Sequence, residues 1–316
     1  SLFARLNRTV TTGGKALLAR NLSFEEIQFQ PEEIHYMSHK VDFMDNFQAL
    51  GKGRTIDTLA MLSLQNECSE ASCPRWFSTR WSLVVASLML GLLPLFIILS
   101  LFGLIEGNVP VFYATLQFFI VSLVCNAATR HIAKRTVKIH REAEGFRQLI
   151  KQCVSLQDLP LSLQKEADTL RNAQQQAALL TSIIDRLDRR GNILGLMIID
   201  TFGLNDYFLI REYLRWEHDF KTRIAAQVKA LSHIDALVSW GRFAYNHPET
   251  TTAEVITDHN VYLEAKEISH PFLGTKAVKN DFSIENGSYT IVTGANMAGK
   301  STFLRTIGIN YILARN

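Results

Sequence analysis

Cysteine is scarce in this chain, and no histidine stands where it would complete a zinc site. The four thiols are Cys68, Cys73, Cys125 and Cys153. Their spacings match no zinc-binding pattern. A disulfide framework is typical of small secreted domains that are rich in cysteine, so four cysteines in 316 residues indicate free thiols in a reducing compartment.

A strong net charge is also missing, as are internal repeats and low-complexity stretches. The formal net charge is +3. Because local patches rather than totals set the electrostatic field, this value neither requires nor excludes a nucleic-acid partner. Basic residues on the later helices are scattered, and we interpret most of them as solvated helix surface. Those on the longest predicted helix are Arg211, Arg215, Lys221, Arg223 and Lys229.

Two long segments carry no charged residue at all. Residues 81–105 are almost wholly apolar, and Glu106 follows them. Residues 111–128 form a second uncharged run. About 20 apolar residues in a helix cross the hydrocarbon core of a bilayer. The pattern therefore predicts a transmembrane helical hairpin with spans at about 81–105 and 110–128. A buried helical hairpin in a large soluble core is the alternative.

The charges that flank the two spans predict their orientation. Arg75 and Arg80 precede the first span, and the connecting turn carries only Glu106. The basic residues after the second span are Arg130, Lys134, Arg135, Lys138 and Arg141. Positively charged flanks stay on the cytoplasmic side. We therefore expect a two-span membrane protein whose soluble parts are cytoplasmic and whose residues 81–128 contact the lipid bilayer.

Most of the remaining chain up to Pro248 has the apolar spacing of helices. Pro31, followed by two glutamates, indicates a helix start. A polar helix with one apolar stripe is predicted from Gln164 to Arg190, and a long helix from about Asp206 to Tyr245.

After Pro248 the residues become β-branched and the turn signals more frequent. Short strands are predicted at 253–257, 261–267, 276–284 and 289–293. The last of these leads directly into a glycine-containing loop and then an apolar helix. This order is typical of the beginning of an α/β domain.

The loop itself, Gly294–Ser301 with the sequence GANMAGKS, fits the phosphate-binding pattern G-x-x-x-x-G-K-[ST]. Glycines let the backbone curl so that its N–H groups point at one anion, and the helix N-terminus adds partial positive charge. In this pattern Lys300 reaches the β- and γ-phosphates, Ser301 ligates Mg²⁺, and Thr302 supports the α-phosphate. A strand–turn–helix with a coincidental Gly-Lys-Ser is the alternative.

We predict that nine consecutive residues bind the nucleotide, and that two of them act in catalysis. The nucleotide-binding residues are Gly294, Ala295, Asn296, Met297, Ala298, Gly299, Lys300, Ser301 and Thr302. Lys300 would stabilise charge in the transition state, and Ser301 would hold the metal ion.

Residues 293–305 resemble the T-G-P-N-M-[AG]-G-K-S-T-[FY]-[LM]-R block of the MutS family of mismatch-repair ATPases. The pair Asn296-Met297 is the specific part of the resemblance, because generic phosphate loops lack it. Ala295 replaces the proline that is usual in the family.

Further resemblance to the MutS family lies upstream of the loop. His270-Pro271 followed by Asn280-Asp281 is similar to the family's H-P … N-D pair, which implies that Asn280 also contacts the nucleotide. Where the family often has an adenine-stacking aromatic residue, this chain has Ala277. Residues 1–18 resemble the opening of the MutS core domain, and residues 234–248 look like the end of its lever helix.

The resemblance implies a fold that is mostly α, with MutS-like core and lever helices and an inserted transmembrane hairpin, followed by the N-terminal part of an α/β P-loop ATPase domain. The implied domains are core helices (1–75), hairpin (76–130), lever and core helices (131–248) and the start of the ATPase domain (249–316). Between the hairpin and residue 203 the chain is short for the family's levers plus its DNA clamp. The family's nucleotide residues therefore carry over, and its DNA residues do not.

The function implied by the resemblance is a membrane-tethered ATPase switch that acts on DNA. ATP and Mg²⁺ are the expected cofactors, and a homodimer and double-stranded DNA are the expected partners. The alternative is a membrane-anchored ATPase that signals to or scaffolds other proteins without binding DNA. Since Ser1 and Asn316 both look internal to a longer protein, the carboxylate and the partner loop that hydrolysis needs are expected after Asn316.

Overall fold

The computed structural model describes residues 1–25, 29–52, 55–58, 61–62, 74–190, 193–254, 261–274 and 277–315, and most of them are helical. The helices are α1 (Leu2–Leu6), α2 (Thr12–Leu22), α3 (Pro31–Ser38), α4 (Val41–Leu50), α5 (Arg80–Leu101), α6 (Val109–Val154), α7 (Gln164–Arg189), α8 (Ile193–Gly203), α9 (Asn205–Asn246) and α10 (Lys300–Ala314). Two strands, β1 (Val261–Ile268) and β2 (Asn280–Glu285), precede α10.

The chain divides into two compact units, each assembled from separate stretches. The first comprises Ser1–Thr55, Leu156–Gln164 and Ser232–Asn316, and the second comprises Ile56–Ser155 and Lys165–Leu231. Helix α9 contributes its first part to the second unit and its last part to the first. The linear division of the chain into MutS-like domains stays a prediction.

Helices α5 and α6 form the predicted hairpin in the second unit. Two stretches, Arg80–Leu101 and Val109–Thr136, are long and apolar enough to cross a membrane. The two helices pack directly, because the Tyr113 hydroxyl donates to the Met89 carbonyl at 3.1 Å and its ring centroid lies 5.1 Å from that of Phe96.

The first helix of the hairpin is shorter than predicted. It ends at Leu101 rather than at residue 105, because Gly103 adopts a left-handed conformation with φ +68°. The Leu104 N–H then bonds back to the Leu99 carbonyl at 3.0 Å, which closes the helix. Helix α6, in contrast, runs past the predicted end of the second span at residue 128 and continues to Val154.

Trp216 lies in a helical core of the second unit. The indole ring of Trp216, which is 2% exposed, stacks on Phe220 with centroids 5.0 Å apart. Its Nε1–H donates to the Gln176 carbonyl of α7 at 3.0 Å. The predicted polar helix and its apolar stripe are confirmed, since Leu180, Ile183 and Leu187 are buried.

The core of the first unit forms where α2, α3 and α4 pack against the last part of α9. The large, fully buried apolar side chains from α2, α3 and α4 are Leu18, Met37, Met44 and Phe47, and α9 adds Ile234, Leu237, Val238 and Trp240. The helix start at Pro31 is confirmed by a capping box, in which Glu33 accepts the Gln30 N–H at 3.2 Å.

A single buried carboxylate joins the N-terminal segment to α9. Asp235 is fully buried and accepts the N–H groups of Val10 and Thr11 at 2.9 and 2.8 Å and the Thr11 hydroxyl at 2.6 Å. Burial raises the pKa of Asp235 to about 6, while the hydrogen bonds from Thr11 and Val10 act in the opposite direction. Gly14 lies against this carboxylate, where any larger side chain would meet it.

The two strands form an antiparallel hairpin in the first unit. Leu263 pairs with Ile284, and Ala265 with Phe282. Strands were predicted at 261–267 and 276–284; the second begins only at Asn280. The predicted strand at 253–257 lies mostly outside the described residues.

The prediction of a strand at 289–293 is wrong. Residues 288–295 are described, have no regular structure and pair with no strand in the part of the chain that the structure describes. Tyr289 is 85% exposed and Ile291 is 73% exposed. A strand exists only when its backbone groups have a neighbour to pair with, so β-branched sequence alone does not produce one. The α/β arrangement of this region therefore stays a prediction.

The close approach of Gly14 to Asp235 leads to a testable prediction. A Cβ at residue 14 would stand 2.1 Å from Asp235 Oδ2, so Gly14→Ala should cost about 1–3 kcal/mol of stability. Thermal unfolding of the detergent-solubilised chain, followed by tryptophan fluorescence, would measure the loss.

Gly308→Ala is the matched control for this substitution. Gly308 lies inside α10 and has open space around its Cβ position, so the same change should be neutral or stabilising by up to about 1 kcal/mol. Equal melting temperatures for the two variants would contradict the packing described for Gly14.

Candidate functional site

The loop of residues 294–299, directly before α10, has the tight curvature that the glycine pattern predicts. Gly294 has φ +150°, Met297 has φ +65°, and Gly299, the N-cap of α10, has φ +86°. Glycine adopts these conformations at no steric cost, whereas Met297 is a fully exposed side chain in a strained left-handed conformation. The loop therefore turns sharply at both glycines of the motif.

Lys300 lies at the first position of α10, with its side chain folded back inside the loop. Its Nζ donates to the carbonyl oxygens of Gly294 and Ala295, each at 2.6 Å. The ammonium group is thus held at the mouth of the loop by two neutral acceptors. An anionic group placed there would bind the same donor more strongly than a neutral carbonyl does, because both partners would then be charged.

The N-terminus of α10 is open to solvent beside this lysine. The N-cap Gly299 offers no side-chain acceptor, and Ser301 and Thr302 are exposed. The first intrahelical bond runs from the Phe303 N–H to the Gly299 carbonyl at 2.9 Å. The N–H groups of the first turn precede this bond and carry the partial positive charge of the helix end. Loop, lysine and helix end thus fit the demands of a nucleotide phosphate and its Mg²⁺.

Asn280, the other predicted nucleotide contact, begins β2 in the neighbourhood of α10. Phe282, two residues further on, packs edge-to-face on Phe303 with centroids 5.9 Å apart, which places β2 beside the first turn of α10. The Asn280 amide, however, donates to the Val278 carbonyl at 3.2 Å. The structure brings the strand of Asn280 to the helix but assigns its side chain to a local bond.

The His-Pro and Asn-Asp pairs lie at the same end of the β hairpin. Ile268 pairs with Asn280 in the register, so His270-Pro271 follows β1 where Asn280-Asp281 opens β2. Asp281 accepts the Glu267 N–H at 2.8 Å, and Glu267 has a left-handed φ of +51°. These motif residues therefore shape the end of the hairpin.

One residue that we interpreted as solvated surface is buried at the base of the α5–α6 hairpin. Arg211 is 9% exposed and donates to the carbonyls of Phe77 and Thr79 at 2.7 and 3.1 Å. Four residues earlier on the same helix face, Tyr207 meets Ser82 with 2.9 Å between their hydroxyls. The sequence shows only that spacing; the partner segment is 134 positions away and could not be inferred.

Several other basic residues of the second unit form ion pairs with carboxylates. Arg186 pairs with Glu212, and Arg190 pairs with Asp206 at 2.9 Å. Glu217 is shared by Arg135 at 3.4 Å and Lys221 at 3.9 Å. The exposed members of the scattered basic set are Arg189, Arg215, Arg223 and Lys229.

Comparisons with known proteins find local, distant similarity to MutS proteins. Endonuclease MutS2 of Carboxydothermus hydrogenoformans is 32% identical over 125 residues, which are 37% of this chain and 15% of that protein. The DNA mismatch repair protein MutS of Clostridium kluyveri is 36% identical over 105 residues, or 30% of this chain and 11% of that protein. The DNA mismatch repair protein MSH3 of Vanderwaltozyma polyspora is 28% identical over 113 residues.

These matches cover a limited part of every protein involved. The chain spans only 15% and 11% of the length of the first two relatives. No family model matches the chain, and no solved structure matches it. About a third of the chain, 37% in the first match and 30% in the second, is thus related to parts of MutS proteins.

Proposed function

We propose that this chain belongs to a MutS-like, ATP-binding protein that is tethered to a membrane and whose nucleotide state controls an interaction with DNA. The observation that carries the proposal is the position of Lys300, enclosed by the loop carbonyls at an open helix N-terminus. An ammonium group beside an open helix N-terminus favours the binding of a phosphate group, which supports the proposal.

In this proposal the loop residues divide the work of holding ATP. Lys300 exchanges its two carbonyl acceptors for β- and γ-phosphate oxygens, and Ser301 supplies the hydroxyl that ligates Mg²⁺. The backbone N–H groups from Ala295 to Gly299 and the first turn of α10 surround the phosphates, and Thr302 supports the α-phosphate. ATP supplies the free-energy difference between two states of the protein, which we propose is a homodimer.

Removing the lysine should therefore weaken nucleotide binding. Lys300→Ala is expected to raise the dissociation constant for a fluorescent ATP analogue with Mg²⁺ by about 10- to 100-fold, because hydrogen bonds from a charged donor are lost. Lys279→Ala is the matched control, since Lys279 is an exposed lysine of the same unit that pairs with Glu267. Unchanged binding in Lys300→Ala would contradict the assignment of the loop.

The membrane tether is supported by the outward faces of the hairpin. Within the best window of each candidate span, only 17% and 22% of the residues are buried. Leu88 is 61% exposed, Leu101 81% and Leu123 83%. A core helix of a soluble protein buries such side chains, whereas a membrane helix presents them to acyl chains. The hairpin therefore fits a bilayer better than a protein core.

The orientation of the hairpin can be tested by glycosylation. A flexible insert with an acceptor sequence between Gly107 and Asn108 should be modified in microsomes, because the turn faces the lumen. The same insert between Gly287 and Ser288 should stay unmodified. Modification of the second insert, or of neither, would rule out the proposed topology.

The link to DNA is supported by the relatives and by the exposed basic residues. Two relatives carry DNA mismatch repair in their names, and Arg189, Arg223 and Lys229 are exposed on α7 and α9. Phosphate contacts by such side chains supply most of the sequence-independent affinity for DNA. We propose that these residues touch the DNA backbone.

A second candidate function is a membrane-anchored ATPase that does not bind DNA and passes its nucleotide state to a protein partner. The observation that favours it is the pairing of Arg186, Arg190 and Lys221 with carboxylates of the same unit. These charges are partly neutralised within the protein, which weakens the field that DNA would meet.

A DNA titration separates the two candidates. The protein in lipid nanodiscs should bind duplex DNA in an ATP-dependent manner, with affinity that falls as salt rises. Replacing Arg189, Arg223 and Lys229 by Ala should weaken binding and reduce the salt slope by up to about three, nearly one per lost phosphate contact. Tighter binding of mismatched than of matched duplex would further indicate a repair sensor.

The matched control removes three exposed lysines from the first unit, Lys15, Lys52 and Lys279, and should leave the salt slope unchanged. Absence of DNA binding at low salt, with nucleotide binding retained, would refute the DNA part of the proposal and favour the second candidate.

A further inference from the structure

Helix α8 is apolar on the side that faces away from the protein. Its sequence, ILGLMIIDTFG, contains one ionisable residue, Asp200, which is fully buried. The exposed side chains are large and apolar: Met197 at 41%, Ile198 at 63%, Ile199 at 49% and Phe202 at 62%. An exposed cluster of this kind on one short helix marks a surface that is covered by something apolar.

The last turn of α8 is attached to the hairpin well inside the apolar span of α6. Gln117 Nε2 donates to the Thr201 carbonyl at 2.7 Å, and both residues are buried. Gln117 lies eight positions after Val109 and thirteen before Arg130, or about 12 Å and about 20 Å along the helix axis at 1.5 Å per residue. If α6 spans a bilayer, Thr201 therefore reaches the depth of the acyl chains.

Several polar groups at this end of α8 have partners within the protein. Leu204, with a left-handed φ of +46°, turns the chain from α8 into α9, and its N–H donates to the Asp200 carbonyl at 3.1 Å. The Asp200 carboxylate accepts the Asp206 N–H at 2.9 Å, and Asp206 pairs with Arg190 at 2.9 Å. Backbone groups in lipid must find such partners because no water is present.

We infer that α8 is a third lipid-embedded helix, which enters the cytoplasmic leaflet beside the hairpin and returns without crossing. With 11 residues it is about 16 Å long, too short to span a hydrocarbon core of about 30 Å. The exposed apolar face of α8 contacts the acyl-chain region of the bilayer. This inference rests on the proposed membrane insertion of the hairpin.

Continuity with the hairpin surface favours lipid over a protein partner. Helix α6 exposes Leu116, Ile120 and Leu123 along the same stretch that carries Gln117. A polar glutamine in an apolar span is costly unless it has a partner, and here it supplies the hydrogen bond that the C-terminal carbonyl of α8 lacks within its own helix. Apolar side chains are thus exposed on both of the helices that this hydrogen bond joins.

Cysteine labelling in lipid nanodiscs tests the inference. Ile198→Cys and Phe202→Cys are made separately in the full chain with Cys68 and Cys73 replaced by Ser, because Cys125 and Cys153 are buried. A membrane-impermeant maleimide should react at least about tenfold more slowly with either than with Gln175→Cys, an exposed site on α7, and equally fast after denaturation in SDS. Leu123→Cys reports on the hairpin itself.

The outcomes are distinguishable. Protection of Leu123→Cys together with rapid labelling of Ile198→Cys and Phe202→Cys would overturn the inference and leave the tether intact. Rapid labelling of Leu123→Cys would refute the tether and with it the inference. Protection of Ile198→Cys accompanied by oxidative disulfide dimers would show that a second copy of the chain covers α8 instead of lipid. Protection of both sites without dimers is the expected result.

Discussion

The buried carboxylate of Asp235 is the interaction on which the first unit depends. Three donors from Val10 and Thr11 meet it near the start of the last part of α9, and Gly14 of α2 lies against it. A carboxylate without water survives only when such donors replace the lost solvent. This contact holds the N-terminal segment in place and leaves room at residue 14 for glycine alone.

In the second unit, polar side chains at the base of the hairpin also contact partners within the protein. Arg211, Tyr207 and Asp206 lie within the first two turns of α9, and each contacts a partner: the Phe77 carbonyl, the Ser82 hydroxyl and Arg190, respectively. The contacts of Arg211 and Tyr207 join the start of α9 to the segment at the start of α5. The pair Asp206–Arg190 joins it to the chain just after α7.

Local rules account for the glycine-containing loop before α10. Two glycines with positive φ, a lysine at the first helical position and an apolar helix behind it follow from eight residues and their neighbours. The strand expected before the loop did not form, since a strand needs pairing partners that β-branched residues do not provide by themselves. The Asn280 side chain likewise bonds locally to Val278, so its predicted role is not decided by its position.

The sequence by itself determined the elements whose signal is continuous along the chain: the uncharged hairpin, the apolar stripe of α7, the length of α9 and the glycine loop. Helical periodicity and long uncharged runs are properties of neighbouring residues, so no distant partner is needed to recognise them. Only the tertiary structure decided where isolated polar residues lie. Arg211, Gln117 and Asp200 look alike as surface or core polar residues in sequence, because their burial depends on acceptors and donors that folding brings from remote positions.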